Sequence, residues 1–63
     1  MTQKELLYVE DAIGHEKTMI EMLNSTMESL EDEELQEYLD SEIKIHTKME
    51  KELLKFMEDL VNE

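Results

Sequence analysis

Ser29-Leu30-Glu31-Asp32-Glu33-Glu34-Leu35 is the stretch that decides the fold. Upstream of it an apolar seam runs Leu6, Val9, Ile13, position 16, Ile20, Leu23, Met27 and Leu30, in the alternating steps of three and four that mark one helix face. Downstream a second seam runs Leu35, Leu39, positions 42 and 46, Met49, Leu53, Phe56 and Leu60, with Tyr38, Met57 and Val61 on its flanks. Continuing the first seam unbroken would place Glu34, Glu37, Ser41 and Lys44 in the core. The two seams are therefore out of phase. One continuous helix of about 60 residues in a parallel coiled coil needs a single phase, so the break between Leu30 and Leu35 points to a turn. Asp32, or Ser29 before it, can cap a second helix there, and acidic residues in a first turn favour the helix macrodipole.

Working outward, the spacing predicts helix one over 3–29, a turn over 30–32 and helix two over 33–61, within one two-helix domain spanning 1–63. Thr2-Gln3-Lys4-Glu5 has capping-box spacing at the start. There is no Pro, and the only Gly is Gly14, which costs a helix about 1 kcal/mol relative to Ala. The fold class is all-α, and a short connection makes the helices antiparallel neighbours. A lone hairpin of 63 residues buries little apolar surface against its backbone entropy. The expectation is a homodimer in which two hairpins close a four-helix bundle, with a trimer or a hetero-assembly as alternatives.

Composition narrows the partners. Eighteen acidic residues against six Lys give a net charge of −12, which repels nucleic-acid phosphates and anionic membrane surfaces. Cys is absent, so disulfides, thiolate metal sites and cysteine nucleophiles are excluded. No Ser-His-Asp set stands out for nucleophilic catalysis. No stretch approaches the roughly 20 apolar residues of a membrane span, and no signal-peptide pattern opens the chain. The expected location is cytoplasmic, with cations or other proteins as partners.

The informative positions are polar ones inside the seams. At about 100° per residue Glu16 points near the centre of the helix-one stripe, and Glu42 and His46 lie about 40° apart on the helix-two stripe. Folding the hairpin about residue 31 sets Glu16 level with His46 and Glu42 about one turn nearer the loop. All are near the helix midpoints, so a dimer presents four carboxylates and two imidazoles at its centre. Buried carboxylates must be neutral, hydrogen-bonded or neutralised by cations. Two readings follow. Glu16, Glu42 and His46 hold a metal, Fe or Mn by their mixed oxygen and imidazole donors, with Zn a lesser fit. Otherwise they form a structural polar layer that fixes register. His15 lies on the flank of the stripe and reads as a bundle-edge residue. The six Met read as plastic core packing.

Lys4-Glu5-Leu6-Leu7-Tyr8-Val9-Glu10-Asp11 leading to His15-Glu16, with Asp32-Glu33-Glu34-Leu35-Gln36 opening helix two, resembles the short two-helix, ferritin-like proteins of spore-forming Clostridia, the coat F-type spore coat proteins. The likeness covers almost the whole chain. It implies a structural, assembly role at the spore coat. The hairpin also resembles encapsulin-associated ferritins, in which a helix-one Glu and a helix-two Glu-x-x-His bind iron across a dimer interface. Aligned on the opening of helix two, His46 takes the place of that Glu and Met49 the place of that His. A ferroxidase-like, di-iron or di-manganese protein is the alternative this implies, and a bare homodimerisation module is a third.

Overall fold

The computed structural model describes residues 2–62 as two helices, α1 (Gln3–Ser29) and α2 (Glu33–Val61), packed antiparallel along their lengths. Each start is closed by its own side chains. The Thr2 amide donates to Glu5 Oε1 at 3.0 Å and the Glu5 amide donates to Thr2 Oγ1 at 3.1 Å, the reciprocal capping box. At α2 the structure selects Asp32 as cap: its Oδ1 accepts from the Leu35 amide at 3.1 Å. Between them Leu30 turns to extended backbone, with φ −90° and ψ 141°, and its amide donates to the Met27 carbonyl at 3.2 Å. The Gln36 side chain then reaches back from α2 and donates to the Leu30 carbonyl at 2.6 Å. One side chain thus satisfies a carbonyl at the end of α1 and ties the two helices across the turn.

The α1 seam packs as its spacing implies, with Leu6, Val9, Ile13, Glu16, Ile20, Leu23, Met27 and Leu30 all at least partly buried. The α2 seam differs from expectation at three of its eight positions. Leu39, His46, Leu53 and Leu60 do face α1, but Gln36, Ile43, Glu50 and Met57 fill the alternate places. Leu35, Met49 and Phe56, expected in the core, are 50%, 42% and 55% exposed. The cause is that α2 is apolar over an arc wider than one neighbour can cover. A seam read from sequence is the average of that arc.

Ile13, at 7% exposed, is the only described residue that is buried outright. Of the eleven exposed large apolar residues, Leu7, Leu54 and Val61 stand apart and the other eight fall into two sets. On α2, Leu35, Tyr38, Ile45, Met49 and Phe56 follow steps of three, four and seven, so they share one side of the helix. On α1, Tyr8, Met19 and Met22, eleven and three residues apart, also share one side. Each set trails its own buried seam by about 100° in the same rotational sense, and in antiparallel helices equal offsets open on the same side of the pair. The hairpin, 47 × 16 × 11 Å, therefore has one broad apolar face.

Candidate functional site

The three polar positions singled out by spacing come together. Glu16 on α1 and His46 on α2 meet across the helix interface, with Nδ1 2.6 Å from Glu16 Oε2. An ionised carboxylate only accepts, so the hydrogen belongs to Nδ1 and the ring is oriented by Glu16. On its other side Nε2 lies 3.8 Å from Glu42 Oε2, beyond hydrogen-bond reach. Glu42 is one turn before His46 on the same helix, which is what brings the two to one edge. The imidazole stands between two carboxylates.

Burial grades across this layer. The side chains of Glu16, His46 and Glu42 are 15%, 22% and 32% exposed, so exposure rises toward the apolar face. Glu42 fills the gap between Tyr38 and Ile45 on that face. A second body covering the face would take Glu42 out of water beside Nε2 of His46.

The geometry also separates the roles of the candidate ligands. A metal-bound imidazole commonly donates its other N–H to a carboxylate, which holds the ring and its tautomer. Glu16 occupies that orienting position, while Nε2 and the Glu42 carboxylate are spaced so that an ion could sit between them. Two donors do not complete a shell. Among the described residues, no three His, Cys, Asp or Glu side chains of one chain converge on a point. His15 is exposed, near the same face, and does not join the cluster. Sequence reasoning missed Gln36, which closes the turn; its place four residues after Asp32, level with the end of α1, is the only signal that could have found it.

No helix of the described residues is long and apolar enough to cross a membrane. Comparison with protein families, with curated proteins and with solved structures finds no match for this chain.

Proposed function

We propose that this chain is a self-associating structural module: two hairpins close on their apolar faces as a four-helix bundle, and the Glu16–His46–Glu42 layer sets their register. The observation that carries this reading is the contrast between a single buried residue among those described, Ile13, and a face of eight large apolar side chains between 42% and 62% exposed. Such a face on so small a chain marks an interaction surface. Closing it places the layer at the bundle centre and completes the burial of Glu42. The resemblance to coat F-type proteins supports assigning the assembly a spore-coat or comparable structural role.

A second reading, a di-iron or di-manganese carboxylate protein, is favoured by one feature, the Glu16-oriented ring with Nε2 turned toward Glu42. Here the second copy supplies the remaining donors. Metal analysis of untagged protein after Fe and Mn titration separates the readings. The structural module takes up no stoichiometric metal in wild type or Glu42→Ala, and the double change Glu16→Leu/His46→Leu leaves it as stable or more so, because apolar packing that replaces a whole buried polar pair commonly outdoes it. Stoichiometric metal that Glu42→Ala abolishes, and that Glu16→Ala weakens about 10- to 100-fold as loss of an orienting carboxylate does, establishes the second reading.

A further inference from the structure

We infer that the second copy docks with its loop at the opposite end, about a twofold axis that crosses the helices at the level of Glu16 and His46; this rests on the self-association proposed above and fixes its geometry. Two arrangements can close the apolar faces. With the axis along the bundle, the two loops lie side by side and α1 packs on α2 of the other copy. With the axis across the bundle, the loops lie at opposite ends and each helix packs on its own counterpart.

Charge decides between them. Residues 18–43, the loop half of the hairpin, hold nine acidic residues and no lysine. All six lysines lie in the other half, with the remaining nine acidic residues. Loops side by side would stack the two most negative regions of the assembly. Loops at opposite ends set each against the lysine-bearing half of the other copy.

The apolar face agrees. Its α1 part runs from Tyr8 to Met22 and its α2 part from Leu35 to Phe56, with midpoints at about residue 15 and about residue 46, which are level in the hairpin. A crossing axis at that level lays each part on itself. Leu35 then meets Phe56 of the other copy, Ile45 meets Ile45, and Tyr38 brings its hydroxyl to Glu52. Glu42 lies opposite Met49, with Lys48 of the other copy at the rim.

The native chain has no Cys, so single introduced thiols report the geometry directly. Sedimentation equilibrium first establishes the dimer. Oxidation of Ile45→Cys is then expected to give a disulfide-linked dimer, and the double variant Met22→Cys/Tyr38→Cys none between chains. Nitroxides on Glu31→Cys are expected to read a separation near the 47 Å length of the hairpin. A label separation below about 25 Å, as for loops one or two helix spacings apart, together with linkage through Met22→Cys/Tyr38→Cys, overturns the orientation while leaving the dimer intact. A monomer at every concentration overturns both.

Discussion

At residue 46 the imidazole is held by Glu16 on one nitrogen and faces Glu42 on the other, so its substitution has a definite signature. Glu16 and His46 should couple by about 1–2 kcal/mol in a double-mutant cycle of Glu16→Ala and His46→Ala, read by chemical denaturation, because either single change strands a part-buried polar group. Three positions earlier than Glu16, Ile13 carries the most complete burial among the described residues. Ile13→Ala should cost about 2–4 kcal/mol, a large share of the stability of so small a fold. Its neighbour behaves oppositely. Nothing lies within 4 Å of where a Cβ on Gly14 would stand, so Gly14→Ala should stabilise by about 1 kcal/mol, visible as a higher Tm.

The helices owe their limits to caps that could be read in advance. Thr2 with Glu5, and Asp32 at the second start, are local patterns of three or four residues, and local patterns survive into structure because no distant contact competes with them. The turn was legible for a similar reason, since a phase break between Leu30 and Leu35 needs only the period of one helix. The α2 core was legible at five of its eight expected positions, Glu42 among them. Leu39, His46, Leu53 and Leu60 bury against α1, whereas the choice between Met49 and Glu50, or Phe56 and Met57, depends on which neighbour each side of the arc meets, and no local pattern encodes that. That Glu16, Glu42 and His46 come together was legible, but which ring nitrogen Glu16 takes was not, because no local pattern sets the ring's orientation. Caps give testable pH behaviour. The Glu5 carboxyl is held below the ordinary glutamate range, first by the Thr2 backbone amide and then by the Thr2 side chain. A depressed carboxyl contributes stability that is present above its ordinary range and is lost as pH falls through its folded-state value. The first turn of α1 should therefore fray in acid, seen as faster amide exchange near its start, and Glu5→Ala should remove that pH dependence. At the other start, Asp32→Ala should destabilise by about 1 kcal/mol, measured by thermal melting.

For the whole molecule, one feature organises the rest: the hairpin has an interior too small to account for its apolar content. Most of the surplus, apart from Leu7, Leu54 and Val61, lies on one face that Glu42 interrupts, with Lys4 on α1 beside it, its ammonium 5.9 Å from the Tyr8 ring. Surface ion pairs such as Lys44 to Asp40 at 3.0 Å are exposed and contribute little beside this. Because each copy carries a charge of −12, association works against repulsion, and raising salt from low to physiological ionic strength should tighten the dimer, the reverse of an interface held by opposite charges. Sedimentation equilibrium across a concentration series is the most direct test of self-association. Wild type should approach twice the 7.5 kDa chain mass, and Ile45→Glu, which places a charge at the centre of the apolar face without touching Ile13 or the caps, should hold at a single chain mass while remaining helical. Wild type at the mass of one chain throughout, with an unchanged melt for Ile45→Glu, would contradict the account.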